Sequence, residues 1–296
     1  MGITYHEAKR LWEAHLSGVS FDNVLTVSRQ QLFLHPTELE SLRRARLSVS
    51  PPPAADPLAN YQFGEYVDRF CQEFLGSTTV TSIDYSAYEG AAITHDLNRP
   101  VPETLRGRFD AVIEAGTLEH IFNFPVAIAN LMQMTKVGGS VFLTTVANNL
   151  CGHGFYQFSP ELMYRIFSPE NGFESTRIVF LEAAFPWVEL VPIRGTYNVV
   201  DPVTVGSRVG LLSKRPVMMM VDSKKVTDTP LFATSPLQSD YVTEWGRGET
   251  APAEKAIGLL RRIIKQVPAS WKRRFNGHRY NRLYSLSNRR FYHKLS

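Results

Sequence analysis

The sequence predicts an α/β fold built on a mostly parallel sheet, and three observations carry that prediction. Between Val80 and Asn149, VTSIDYS, AAITHDLN and FDAVIEAGTLEH read as strands, FPVAIANLMQMTKVGG as a helix and SVFLTTVANN as a further strand. Each strand stops at a polar cluster, and two of the first three end in a carboxylate, Asp84 and Asp96. Open α/β sheets hold ligands at the carboxyl ends of their strands, in the crevice where strand order reverses. Acids on neighbouring strand ends are therefore placed to accept hydrogen bonds from the ribose hydroxyls and exocyclic amine of one nucleoside.

The remaining elements follow in order. Residues 3–17 pattern as an amphipathic helix with Leu11, Trp12, His15 and Leu16 on one face. Asn23 to Val27 is the first strand of the sheet, and Pro36-Thr37-Glu38 opens a helix that runs to about Arg46. SVSPPPAADPLAN, residues 48–60, is a proline-rich loop, a lid or a spacer. Tyr61 to Leu75 reads as a helix capped by Gly76. After the fifth strand, Ser159-Pro160-Glu161 starts a helix to about Phe167, with serine as the cap, proline at the first position and an acid at the positive end of the dipole. Asn171-Gly172 marks a turn, Thr176 to Glu182 a sixth strand, and VGLLSK within Tyr197 to Lys214 the last. Three regions follow: a domain over 1–215, an irregular extension over 216–250 and a basic C-terminal segment over 251–296.

Composition is that of a soluble globular protein, with 44% hydrophobic and 20% charged residues in a chain of 296. The two cysteines, Cys71 and Cys151, make neither a disulfide framework nor a zinc site, and no metal is expected. The N-terminus has no apolar signal core, and no apolar run approaches the ~20 residues of a membrane span, so a cytoplasmic location is expected. The net charge of +4 hides an asymmetry. Residues 251–296 hold twelve Lys and Arg against one acid, Glu254, while the rest of the chain is net acidic. Ala256, Leu259, Leu260, Ile263, Ile264 and Val267 form an apolar stripe there, and Trp271, Phe275, Tyr280, Tyr284 and Phe291 interleave with arginines. Three readings fit this segment: a stripe packed on the body or on a second subunit, peripheral membrane contact through 254–275, or nucleic-acid binding. Nucleic acid is disfavoured because an acidic body repels phosphates.

The pieces SIDYS, HDLN, FDAVIEAGTLEH and the helix–GG–strand unit after them resemble the class I S-adenosylmethionine-dependent methyltransferases, over roughly Asn23 to Lys214. The resemblance implies a Rossmann-like methyltransferase fold: a mostly parallel seven-stranded sheet with helices on both faces. It implies S-adenosylmethionine as cofactor, with Asp84 beside Tyr85 holding the ribose and Asp96 beside Leu97 at the adenine amine. Glu114 falls in the strand at the floor of that site, facing the pocket or pairing with a base. One feature departs from the family. The first strand ends not in a glycine-rich loop but in Ser28-Arg29-Gln30. Either these three line the methionine end, with Arg29 set against its carboxylate, or the scaffold is a repurposed binding protein. A nicotinamide enzyme is disfavoured, since its glycine fingerprint and a Tyr-x-x-x-Lys pair are both missing.

The acceptor side falls just past the fourth and fifth strands. Glu119 and His120 end FDAVIEAGTLEH, and His153 lies between Gly152 and Gly154. His120 and His153 are candidate bases for an acceptor hydroxyl, since imidazole titrates near neutrality. The plainer alternative for His120 is a hydrogen bond to loop backbone. Tyr156 and Gln157 are placed to orient a polar acceptor, and Phe155 and Phe158 read as packing. GHGFYQFSPELMYRIF resembles a segment of methyltransferases in glycan and cell-surface pathways, which implies a small-molecule or glycan acceptor.

Overall fold

A computed structural model describes residues 2–49, 55–183, 193–247 and 277–295. The chain opens with β1 (Gly2–Thr4), α1 (Tyr5–Leu16), β2 (Asn23–Val27), β3 (Gln31–Phe33), α2 (Pro36–Leu47) and α3 (Asp68–Leu75). It continues through β4 (Thr79–Asp84), β5 (Ile93–Thr94), β6 (Phe109–Ala115), α4 (Phe124–Met134), β7 (Thr135–Asn148) and α5 (Pro160–Ile166). The last described elements are β8 (Phe173–Glu182), β9 (Gly195–Val199), α6 (Pro202–Val205), β10 (Val217–Lys225), α7 (Ser239–Arg247) and β11 (Tyr292–Leu295).

Among the described residues β1 pairs with β3, and the other nine strands form one sheet in the order β11-β9-β8-β10-β7-β6-β2-β4-β5. Pairing is parallel from β5 through β7 and antiparallel from β7 through β11. The seven strands from β5 to β8 are the Rossmann-like unit expected from the sequence, and β9 and β11 widen it to nine. Strand order reverses between β2 and β6, which places the crevice at Ser28 and Gly116.

The period of two along each strand divides the core between the two faces. Leu25, Val27, Val112, Val141 and Leu143 pack under α4 and α5. Val24, Ala111, Ile113 and Phe142 pack under α1 and α3, with Trp12 and Phe74 edge to face at 6.0 Å. Helices therefore cover both faces. The signals read for two helix ends hold: the Ser159 hydroxyl accepts from the Leu162 amide at 3.3 Å, and Gly76 closes α3 at φ 70°.

Several boundaries move. α4 stops at Met134, where the Thr135 hydroxyl donates to the Leu131 carbonyl, and the strand begins there rather than after the glycine pair. Gly139 is required at that crossing, because a Cβ would sit 2.7 Å from the Asp110 carbonyl oxygen. Residues 61–67 are not helical, since their backbone is spent on the stretch around β3: the Leu32 amide donates to Glu65 and the Gly64 and Val67 amides to Leu32 and Gln30. Leu16 lies on the exposed side of α1, where Ala8, Leu11 and Trp12 make the buried face.

The larger correction concerns the C-terminal half. No strand forms over VGLLSK. The strand between β7 and β8 is β10, inside the region read as an irregular extension, so the sheet does not end at residue 215. β11, from the basic segment, pairs with β9, so that segment is in part an edge of the sheet. The stretch 254–275 assigned to membrane contact, and residues 248–253 before it, lie outside the described residues. Among the described residues, no helix is long and apolar enough to cross a membrane.

α1 is tied to β10 by charge. Arg10 Nε donates to Asp222 Oδ1 at 2.9 Å, and its Nη2 reaches Oδ2. The two side chains are 22% and 12% exposed. Arg10→Met keeps the stem and strands the carboxylate. A loss of about 2 kcal/mol is expected in a denaturant titration, below the ~3–5 kcal/mol of a fully buried pair because water still reaches this one.

Candidate active site at the carboxyl edge of the sheet

Val27 ends β2, and Ser28 turns the chain at φ 62°, a left-handed conformation that glycine adopts at less cost. Its amide donates to the Ile83 carbonyl of β4 at 2.7 Å, and its hydroxyl accepts from Thr117 Oγ1 at 3.2 Å. Ser28 is thus bonded to β4 on one side and to the turn that follows β6 on the other. Arg29 and Gln30, beside it, are engaged by other parts of the chain. Arg29 donates to Asp68 Oδ1 at 3.2 Å and stacks over the Tyr66 ring at 4.0 Å. Gln30 is buried, with its amide turned back on the Val27 carbonyl.

Asp84 ends β4 half-buried. Its Oδ1 accepts from the Tyr85 amide at 2.6 Å, and its other oxygen takes no hydrogen bond among the described residues. Tyr85 is 74% exposed beside it. Asp84 pairs with Thr94 of β5, and the His95 amide donates to the Asp84 carbonyl at 2.8 Å, so Asp96 lies at the neighbouring strand tip. Asp96 Oδ1 accepts from the amide and side chain of Asn98 at 3.0 and 2.8 Å, bonds that hold its carboxyl below the usual range. Among the described residues its Oδ2 makes no hydrogen bond and has Arg99 Nε 3.8 Å away. Leu97 is buried in the core. Asp84 and Asp96 thus each hold one oxygen in local hydrogen bonds and leave the other without one among the described residues.

At the tip of β6, Glu114 is buried and accepts from the Thr117 and Leu118 amides, the latter at 3.0 Å. Its second oxygen is buried without a hydrogen bond. Burial, then the charge of Glu119, pushes its pKa up to about 8 against the pull of these amides. Glu119 is fully buried, and burial raises it as well, while the Thr145 hydroxyl, donating to Oε2 at 2.8 Å, and His153 pull it back. Oε1 lies 3.6 Å from His153 Nε2. His120 is exposed on the same short helical turn, its ring centroid 5.3 Å from that of His153, and its pKa is lowered first by desolvation and then by His153. Glu119, His120 and His153 thus form one cluster, with ligand-capable atoms all within 4.8 Å of one another. The expectation of no metal rested on cysteine usage and did not weigh this set.

The loop after β7 seals Glu119 from above. The Phe155 and Tyr156 amides donate to its carbonyl at 2.8 and 3.3 Å, and Gly154 leaves no room there for a Cβ. Tyr156 and Gln157, expected at the acceptor, each make a hydrogen bond that holds the loop. The Tyr156 hydroxyl donates to the Phe122 carbonyl, and Gln157 Oε1 accepts from the Leu150 amide. Phe158 is buried as expected, but Phe155 is 69% exposed and meets Phe122, 72% exposed, edge to face at 6.2 Å. This open aromatic pair and Thr145 escaped the sequence reading. Exposure of Phe122 has no local signal, and Thr145 reads as an ordinary strand residue.

No protein-family model matches the sequence, and no curated protein matches it either. Solved structures do align with it. A putative methyltransferase from Bacillus halodurans does so at 11% identity and a TM-score of 0.42, over 74% of this chain and 99% of that one. A possible histamine N-methyltransferase from Thermotoga maritima gives 11% and 0.38 over 75% and 89%. An S-adenosylmethionine-dependent methyltransferase from Archaeoglobus fulgidus gives 13% and 0.39 over 74% and 93%.

The folded chain holds a proton on Glu114 that the unfolded chain has released above about 4.5. That contribution to stability is complete below this pH and is lost as pH rises through about 8. Urea midpoints measured from pH 5 to 8.5 are expected to fall across this window, and less steeply in Glu114→Gln, which stays neutral and keeps an acceptor for Thr117 and Leu118. Parallel slopes in the two proteins would remove Glu114 as the source.

Proposed function

We propose that the protein transfers a methyl group from S-adenosylmethionine to a hydroxyl or similar oxygen of a small molecule or glycan. The observation that carries this reading is the pairing of two half-sites along one strand edge: Asp84 and Asp96 on adjacent tips, and Glu119, His120 and His153 at the end of β6. Asp84 suits a ribose, since its free oxygen accepts from a hydroxyl, and Tyr85 offers a ring face beside it. Asp96 suits the adenine amine. Ser28 brings backbone and a hydroxyl, not glycine, to the methionine end, and Arg29 is already engaged by Asp68. The cofactor, when bound, supplies a methyl group activated on a sulfonium.

The chain then needs to position an acceptor and manage its proton. Positioning contributes much of the acceleration in such a reaction. His120 and His153 are the exposed imidazoles on the acceptor side. Phe122 and Phe155 present apolar ring surface of the kind that stacks on the C–H face of a sugar, which agrees with the glycan-pathway resemblance of the 152–167 segment. A protein of this kind acts on substrates from solution or from a surface, and residues 254–275 supply a basic amphipathic stretch for the latter.

Titration calorimetry of the full chain with S-adenosylmethionine is expected to show binding, weakened at least tenfold in Asp84→Ala by loss of a hydrogen bond to a charged acceptor, worth roughly 1.5–3 kcal/mol. Asp84 is half-exposed at a strand tip, so the variant keeps the fold. Absence of heat in the folded wild-type protein at millimolar cofactor would overturn the proposal, and unchanged affinity in the variant would take Asp84 out of the site.

A further inference from the structure

We propose that Glu119, His120 and His153 bind a divalent transition-metal ion of the zinc class. Their ligand-capable atoms already lie within 4.8 Å of one another, and Glu119 Oε1 stands 3.6 Å from His153 Nε2. Two ligands on a tetrahedral zinc, each ~2.0–2.2 Å from the ion, are about 3.4 Å apart. Glu119 and His153 are therefore spaced as neighbours on one ion, and His120 completes the set by a small rotation of an exposed ring.

A second observation points the same way. Glu119 is fully buried, yet among the described residues its Oε1 makes no hydrogen bond and has only the His153 imidazole near it, at 3.6 Å. A buried carboxylate oxygen left so is costly, and burial tolerates it when the group is paired or coordinates a metal. The other oxygen is fixed by Thr145 Oγ1 at 2.8 Å. That bond does what outer-shell partners do at metal sites: it holds the carboxylate so that a single oxygen is presented to the ion. Gly152 and Gly154 flank His153, and Gly154 lets its loop lie against the Glu119 backbone, which keeps the imidazole over the carboxylate.

The donor set chooses the ion. Two imidazoles and a carboxylate suit zinc, cobalt, iron or nickel, whereas magnesium and calcium prefer all-oxygen shells. Three protein ligands leave a coordination position open, as at catalytic rather than structural sites, and both imidazoles face solvent. What that position does rests on the methyl-transfer reading. An acceptor hydroxyl bound there loses its proton to solvent more readily. Its oxygen then forms the new bond to the methyl carbon as the sulfur–methyl bond breaks and leaves its electron pair on sulfur. His120 and His153 are then ligands, not bases.

The test uses the full chain stripped with a chelator and titrated with ZnCl2, CoCl2 and MgCl2. One-to-one uptake of Zn2+ is expected, with Co2+ giving visible absorption bands of a low-symmetry nitrogen–oxygen site and Mg2+ giving neither heat nor competition. His120→Ala and His153→Ala are surface changes that keep the fold, and each should weaken Zn2+ at least tenfold. Thr145→Val should weaken it about 10–100-fold through the carboxylate it orients. Absence of Zn2+ and Co2+ binding by the folded protein, or binding untouched by both histidine variants, overturns the proposal. The chelated protein is also titrated with S-adenosylmethionine. Metal uptake without cofactor affinity upholds the site and removes the methyl-transfer reading, whereas cofactor affinity without metal uptake does the reverse.

Discussion

The Glu114 carboxyl, accepting from the Thr117 and Leu118 amides, fixes the turn by which the chain leaves the carboxyl end of β6. The chain leaves β6 through Gly116 at φ 86° and closes a single helical turn over Leu118–His120. Those two amides have no strand partner, and buried amides without an acceptor cost about 1–3 kcal/mol each. With the carboxylate in place the turn is fixed, Leu118 and Glu119 point inward, and His120 alone points out. The Glu119 carbonyl then anchors the loop that carries His153.

This arrangement concentrates two acidic side chains in the interior a few residues apart, against the interests of stability. Desolvation raises both, and the charge of Glu119 raises Glu114 further. A fold with no use for them would replace Glu119 by an apolar residue under the same loop. Thr145 and His153 satisfy it only in part. Retained strain of this sort concentrates at functional sites, and here it coincides with the edge to which strand order directs a ligand.

The sequence disclosed the parts of this protein that depend on neighbours in the chain. The tips Asp84 and Asp96 and the Glu119–His120 step follow from strand periodicity and its polar stops, and the caps at Ser159 and Gly76 from local turn chemistry. What it concealed depends on distant partners. Arg29 looks free until Tyr66 and Asp68 fold against it. VGLLSK carries a strand's composition, but Gly210 is packed on the Tyr284 ring and the Leu212 amide donates to the Tyr284 carbonyl, which takes the segment out of the sheet. The methionine run PVMMMV reads as a strand from its apolar composition, as β10 confirms, but nothing local to it tells that it lies between β7 and β8. Ser28 takes a left-handed turn at φ 62° that no glycine announces.

The place of β10 also orders the events of synthesis. A strand in the middle of the sheet comes from residues 217–225, after both of its neighbours have been made. Until it arrives, β7 and β8 each present a bare row of amides and carbonyls to the cell, the condition under which strands recruit foreign partners. Between emergence of Glu182 and of Lys225 the growing polypeptide therefore carries two strand edges that only a later segment can pair.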